Sequence, residues 1–493
     1  MRRAFLILID GLRPDVLEAE VAAGRLPNLK ALTDRGARSR AISVLPTTTS
    51  VAYLPFLTGC FPGTCNVPSI RWLDREAYTG RWWKDRAAVR NYCGYQAGML
   101  DDDIAPGVQT IFQLVPESLA IFTMITRGLT PGRDPAQGAR KVVGSLAHYV
   151  DCYGLLDRRA AREFLAAVDQ PWRFVFTQFP AVDGYTHGAT PAAREVLQSL
   201  HFIDRSIGRA VVRLDELGAL DDTLFVLVSD HGATKMHTHV DLAEWFMARG
   251  VPTLHHPVLW ARNPRAAVMV AGNAFASIYA RPGVPRERRW TMEQLRRPEA
   301  FGTDHDVVAA LVREPAVAFV AGEDAEGNVR LASSAGEAII TRDEAAIRYT
   351  LLSGDPLELG GSFSGDRDAW LARTFDAPFP DAAVHLLDQF SSRRAGDLVL
   401  AAREGYDFRN RYEIPEHKSG HGSLIRAHMH TPLWTNRPLP LVPMRTADVF
   451  PALLDWLDVP VPQGIDGRAV WQPGRAPRAK HPHRQPAGAL HSR

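Results

Sequence analysis

FLILIDG, residues 5–11, decides the fold. A short apolar run that stops at an acid and a glycine has the length of a strand. A strand that is apolar at every position is buried on both faces, the hallmark of a parallel sheet covered by helices on either side. Two other runs read the same way, RFVFTQF at residues 173–179 and LFVLVS at residues 224–229. After Pro191, apolar residues fall at Val196, Leu200, Ile203, Ile207, Val211 and Leu214. Steps of three and four mark one face of a helix. Strands alternating with helices predict an α/β fold with a mostly parallel central sheet flanked by helices.

All three runs end in acid. FLILI runs into Asp10-Gly11, RFVFTQF into Pro180 and then Asp183-Gly184-Tyr185-Thr186-His187, and LFVLVS into Asp230-His231-Gly232. The carboxyl ends of parallel strands share one edge, where open α/β sheets bind ligands. Three acids and two histidines, distant in sequence, are thus expected to converge. Carboxylates brought together repel and raise one another's pKa. A divalent cation removes that repulsion, and the mixture of imidazole and carboxylate suits zinc, with other transition metals as alternatives. Asp183 and His187 are spaced i, i+4, so one helical turn presents both to one ion. Asp230 and His231 are adjacent and reach one ion only from irregular backbone, since in a strand they would point apart. Taken singly, an Asp-Gly is a turn and Asp-x-x-x-His a surface pair. SDHG is more specific, because a buried Asp-His pair is costly unless paired or metallated.

A nucleophile is sought in LPTTTSVAYLPFLTG, residues 45–59. Its hydroxyl cluster precedes an apolar helical segment. Such hydroxyls are usually helix caps, but a helix N-terminus also suits a phosphate. A neutral hydroxyl attacks poorly until a metal draws off its proton. Further on, His417-Lys418-Ser419-Gly420-His421-Gly422-Ser423 offers a histidine between glycines, which let the backbone approach a site closely.

The remaining chain sets the organisation. The full sequence has 493 residues, 46% hydrophobic and 23% charged, a globular profile that needs no structural metal. The net charge of +2 gives no global field that argues for nucleic acid or an anionic membrane, and no nucleic-acid partner is expected. Residues 317–342, VAFVAGEDAEGNVRLASSAGEAIITR, read as antiparallel hairpins. We therefore expect a discontinuous catalytic core at 1–280 and 404–470, and a smaller α+β cap at 281–403. An aromatic-rich insert is expected at about 71–144, with Trp72, Tyr78, Trp82, Trp83, Tyr92 and Tyr95. The basic tail 475–493 reads as disordered. VFPALLDWLDV, from Val449, reads as a closing helix. Cys60, Cys65, Cys93 and Cys152 are read as free thiols of a reducing compartment, with a Cys60–Cys65 bridge as the alternative. With no apolar stretch of spanning length and no signal-peptide pattern, the expected location is cytoplasmic.

The ordered segments FLILIDGLRPD, LPNLKALTDRGA, LPTTTSVAYLPFLTG, FPAVDGYTHG, VLVSDHGA and SGHGS resemble the type I phosphodiesterase/nucleotide pyrophosphatase family of the alkaline phosphatase superfamily. The resemblance implies two zinc ions. One is held by Asp183, His187 and His421, the other by Asp10, Asp230 and His231. It implies Thr49 as nucleophile, with Thr48 as second choice, and His421 rather than His417 as the late ligand. Thr49 would attack phosphorus, form a phosphothreonine and be released by water, with retention of configuration. The implied partner is a small phosphoester substrate.

The sequence departs from the family where many members carry an asparagine after the Thr-Gly pair. The nearest register gives Ile70, with Asn66 earlier and Arg71 next to it. Arg71 is a candidate oxyanion clamp, and its alternative is an ordinary surface arginine. Arg71, Asn66 and Trp72 are candidate substrate-binding residues, Trp72 and the aromatic insert through stacking on a ring, against the reading that they only pack a core. His237, His239, His255 and His256 read as satisfied loop histidines. The competing functions are a phosphomonoesterase or phosphonate hydrolase on the same site, and a catalytically inactive metal-binding scaffold.

Overall fold

The computed structural model describes residues 1–81, 88–93, 95–139, 145–258, 261–284, 288–344, 346–411, 413 and 415–475. The three apolar runs form adjacent parallel strands, Arg3–Ile9, Phe174–Phe179 and Thr223–Val228. They lie in a seven-stranded sheet ordered Met444–Arg445, Ala37–Ile42, His430–Thr435, Thr223–Val228, Arg3–Ile9, Phe174–Phe179, Ser118–Ile121. Within it His430–Thr435 runs antiparallel to both of its neighbours, and the other pairings are parallel. The edge strand Ser118–Ile121 comes from the stretch expected as an insert, so the later part of that stretch belongs to the central sheet.

Alternation along Arg3–Ile9 feeds two cores. Phe5, Ile7 and Ile9 join Leu17, Leu29, Phe164, Val196, Leu200, Ile203 and Ile207 on one face. Ala4, Leu6 and Leu8 join Leu54, Leu57, Phe450 and Leu453 on the other. Helices Tyr153–Val168 and Arg194–Glu216 cover the first face, and the expected spacing after Pro191 supplies its buried stripe. Helix Val449–Trp456, the expected closing helix, covers the second. Each fully buried large apolar side chain contributes roughly 1.5–3 kcal/mol, so burial on both faces fixes this strand, and with it the position of Asp10.

A second, nine-stranded sheet is ordered Thr253–His255, Ala266–Ala271, Phe275–Ala280, Leu398–Ala402, Val317–Glu323, Val329–Ser333, Gly336–Arg342, Ile347–Gly354, Phe363–Gly365. Residues 317–342 form the expected antiparallel hairpins. The sheet also draws three strands from residues 253–280, upstream of the expected cap. The turn between Ala266–Ala271 and Phe275–Ala280 reaches the catalytic edge, where Asn273 forms an isolated bridge with His421.

All four cysteines are free thiols. Among the described residues no helix is long and apolar enough to cross a membrane. Trp82, Trp83 and the tail from 476 onward lie outside the described residues.

Candidate active site

Strand register brings the acids together. Ile9 pairs with Phe179 and Leu8 with Val228, so the chain leaves all three strands at one edge. Asp10 follows directly. Asp230 follows Ser229, and Asp183 lies in the first turn of helix Ala181–Gly188. Gly11 lets the strands converge: its φ is +69°, and a Cβ there would fall 2.7 Å from Asp183 Oδ1. Asp10, Asp230 and His231 offer ligand atoms within 4.8 Å of one another, and so do Asp183, His231 and His421.

In each carboxylate one oxygen is tied and the other is turned toward the cluster. Asp10 Oδ2 accepts from Tyr53 OH at 2.9 Å and from Gln178 Nε2 at 2.6 Å. Its Oδ1 lies 3.6 Å from His231 Nε2. Asp230 Oδ1 accepts from the Gly11 N–H at 3.2 Å, and its Oδ2 lies 3.3 Å from His231 Nε2. Asp183 Oδ2 faces His187 Nε2 at 3.1 Å, and its Oδ1 is 4.0 Å from His421 Nε2.

The histidines are oriented through their other nitrogens. His421 Nδ1 donates to the Thr47 carbonyl at 2.7 Å, which leaves Nε2 toward Asp183. His187 Nδ1 meets the Ser419 carbonyl at 3.0 Å, and His231 Nδ1 the Gly232 carbonyl at 3.2 Å. The rings of His231 and His421 stack at 3.6 Å. His417 stacks on His187 at 4.0 Å, outside both three-residue groups. The resemblance grouped His187 with Asp183 and His421. In the structure His231 completes that trio, and His187 stands beside it, bonded to Asp183.

Thr49 Oγ1 lies 3.3 Å from Asp10 Oδ1 and 3.2 Å from His231 Nε2. Thr48 Oγ1 is buried without a hydrogen-bond partner. Ser50, the residue after Thr49, has φ +73°, and the chain then enters a 3-10 turn, Val51–Tyr53, and helix Leu54–Thr58. That helix is one turn long, so the expected help from a helix dipole is small. The threonine is placed instead by its contacts with the acid–histidine cluster. A φ above zero in a non-glycine residue is a strained conformation that clusters at functional sites.

Burial pushes the Asp10 carboxyl well above its ordinary range, and Asp230 and Asp183 add repulsion. Burial and then Asp183 raise Asp230 to about 7. At Asp183 burial is outweighed by the charge of His187 and its hydrogen bond, and the carboxyl is held below its ordinary range. Asp183 in turn overrides burial at His187 and raises it to about 9. Burial lowers His231 to about 4 and drives His421 well below its usual value.

These residues fit divalent cations. Asp183 Oδ1 and Asp230 Oδ2 are buried without a hydrogen-bond partner, a costly state for a carboxylate. Both are among the atoms that converge with the histidine nitrogens. Oxygen and imidazole donors in groups of three suit a divalent transition metal.

The three candidate substrate residues lie elsewhere. Asn66 accepts from Ser392 Oγ at 2.9 Å and braces that loop. Trp72 is fully buried, its Nε1 donates to Tyr92 OH, and Arg90 and Arg394 cover its ring. Its stacking surface is therefore taken up by the protein, which corrects the expectation of a substrate contact. Arg71 donates to Asn91 Oδ1 and to the Val270 carbonyl, each at 3.2 Å. Val270 is two residues from Gly272, where a Cβ would fall 2.8 Å from His421 Nδ1. Arg71 is thus the one of the three bonded to the chain segment that cradles His421. Sequence reasoning missed Tyr53, Gln178 and Thr47. The available signals were a glutamine inside an apolar strand and a tyrosine one helical turn after Thr49.

A mostly parallel sheet between helices, with an acid–histidine cluster at its carboxyl edge, gives the chain an alkaline-phosphatase-like fold. Its solved neighbours include phosphonoacetate hydrolase from Sinorhizobium meliloti 1021 in complex with phosphonoacetate: 16% identity, TM-score 0.54, covering 92% of this chain and 96% of that one. Murine ectonucleotide pyrophosphatase/phosphodiesterase 5, as an inactive variant with AMP, matches at 12% identity and TM-score 0.53, covering 94% and 96%. At such identities the likeness is one of fold. The family is shown by the sequence: residues 4–424 match the model of the type I phosphodiesterase/nucleotide pyrophosphatase family, and the chain belongs to it. Members of this family are binuclear metal-dependent enzymes, and the chain is a phosphoester hydrolase. No curated protein sequence matches it.

Proposed function

We propose that the chain cleaves phosphodiester or phosphoanhydride bonds of a small substrate, with Thr49 as nucleophile. Two divalent ions, zinc first among them, would be held by Asp10, Asp230 and His231 and by Asp183, His187 and His421: His231 stands in both converging groups but has one nitrogen to offer, and His187, bonded to Asp183, takes its place in the second. The observation that carries the reading is Thr49 Oγ1 at 3.3 Å from Asp10 Oδ1 and 3.2 Å from His231 Nε2. When bound, the ions supply positive charge to the attacking and leaving oxygens and lower the hydroxyl pKa. Thr49 Oγ1 attacks phosphorus in line, the Oγ1–P bond forms and the bond to the leaving oxygen breaks. Asp10 Oδ1 and His231 Nε2 hold the Thr49 hydroxyl in place, and because both would be taken up by the cation, the hydroxyl proton leaves to solvent water. Water then attacks the phosphothreonine, the Oγ1–P bond breaks and a proton returns to Thr49. Hydrogen bonds from Tyr53, Gln178 and the Gly11 amide keep the carboxylates in register throughout.

A second reading, hydrolysis of a phosphonate or monoester, is favoured by Arg71. Among the described residues this guanidinium has polar partners but no carboxylate partner within ion-pair distance, and it sits by the segment that cradles His421. Such a cation suits an extra anionic group on the substrate. The test is hydrolysis of bis-p-nitrophenyl phosphate, p-nitrophenyl phosphate and phosphonoacetate by zinc-loaded protein. The first reading requires the diester to be the preferred substrate. Preference for either of the others, reduced by Arg71→Ala, replaces it with the second. Zinc binding with no turnover of any of them supports the inactive scaffold. The four free thiols support a cytoplasmic location, and recovery of the native protein in an oxidising extracellular fraction would overturn that.

A further inference from the structure

We infer that Tyr53 and Gln178 are positioning residues that restrict Asp10 to one metal-facing oxygen and thereby set the affinity of one of the two cation sites. This rests on the two-ion reading above. Both donors converge on the same atom, Asp10 Oδ2, at 2.9 Å and 2.6 Å. The other oxygen, Oδ1, faces Thr49 and His231. A carboxylate can hold a cation with one oxygen or with two. Two hydrogen bonds occupy Oδ2 and leave Oδ1 to the cation.

The two donors are delivered by different parts of the fold. Gln178 pairs with Leu8 in the parallel register, so its side chain emerges beside Asp10 at the end of the neighbouring strand. Tyr53 is fully buried, its ring 5.9 Å from that of Phe176 on the same strand. It is also one turn beyond Thr49 on the nucleophile segment. Through Tyr53 the segment that carries the nucleophile also holds the carboxylate nearest to it, so the hydroxyl and Asp10 keep their spacing together. A purely structural role, in which Asp10 merely satisfies a buried phenol and amide, has a different consequence: removing either donor would lower stability and leave metal affinity alone.

The experiment titrates zinc into metal-free wild type, Tyr53→Phe and Gln178→Leu against a chromophoric chelator, alongside thermal melting of the metal-free proteins. Wild type is expected to bind two ions. Each variant is expected to bind one of them about 10- to 100-fold more weakly, the usual cost of losing an outer partner of a ligand, with the other affinity unchanged. Folded variants with both affinities unchanged overturn the inference. Equal weakening at both sites with a lowered melting temperature also overturns it, because it assigns the pair to the fold. If Tyr53→Phe does not fold, Gln178→Leu decides alone, since it breaks the second bond to the same oxygen. Failure of both to fold counts against the inference. A wild type that binds no pair of ions sinks the two-ion reading instead.

Discussion

Thr48 and Thr49 carry the same hydroxyl, and the fold gives them different surroundings. Thr49 Oγ1 faces Asp10 and His231, while Thr48 Oγ1 is buried without a partner. Thr49→Ala is therefore expected to lower kcat by about 10³-fold or more, as loss of a nucleophile does, while zinc binding by titration persists. Full activity in Thr49→Ala would move the nucleophile elsewhere. Asp157 makes a separate prediction. Its Oδ1 caps helix Ala181–Gly188 at the Ala181 N–H, its Oδ2 is unpartnered, and burial raises the carboxyl from 3.8 to about 7. The folded protein thus keeps a proton that the unfolded chain has released at intermediate pH. Stability contributed by this group falls as pH rises from about 4 to about 7, at no more than about 1.4 kcal/mol per unit. Asp157→Asn keeps an acceptor for Ala181 and should remove that slope in urea melts; parallel slopes would refute the assignment. Asp10, Asp183, Asp230, His231 and His421 could be read in the sequence because each sits at a strand end or in a short motif. Tyr53 and Gln178 stand out in the sequence only as unusual residue types, because their contact with Asp10 depends on strand register and on the path of the chain after Thr49.

At the scale of elements, the site depends on turns that admit close backbone approach. Gly272 has φ +57°, and a Cβ there would fall 2.7 Å from the His421 carbonyl and 2.9 Å from Thr48 Cγ2. Gly24 has a similar φ, +72°, with nothing within 4 Å of its added Cβ. Gly24→Ala should therefore show backbone strain alone. Gly272→Ala should lose about 1–3 kcal/mol more through overpacking and should weaken zinc binding as His421 shifts. Equal losses in the two variants, with equal zinc affinity, would contradict this role for the turn. The strands were legible because each carries a mostly apolar run of strand length, and the hairpins at 317–342 because glycine turns separate β-rich runs. The reach of the second sheet back to Thr253–His255 was not, because short strands such as Thr253–His255 carry little periodicity of their own. Trp72 illustrates the same limit. Its aromatic character is visible in the sequence, whereas the arginines that cover it come from residues 90 and 394.

For the whole molecule, two apolar cores pack the two faces of the central sheet. Removing divalent ions with a chelator should abolish turnover and leave the far-UV dichroism native. The melting temperature should fall, since a ligand held at about 100 times its Kd stabilises by about 2.7 kcal/mol. Zinc should restore both, and collapse of the fold on chelation would make the ions structural instead. In the proposed reaction Thr49 takes the phosphoryl group before water does. The stereochemistry at phosphorus records this, read with a chiral phosphorothioate diester hydrolysed in isotopically labelled water. Two successive in-line displacements predict retention of configuration, whereas inversion would show direct attack by water and contradict the account.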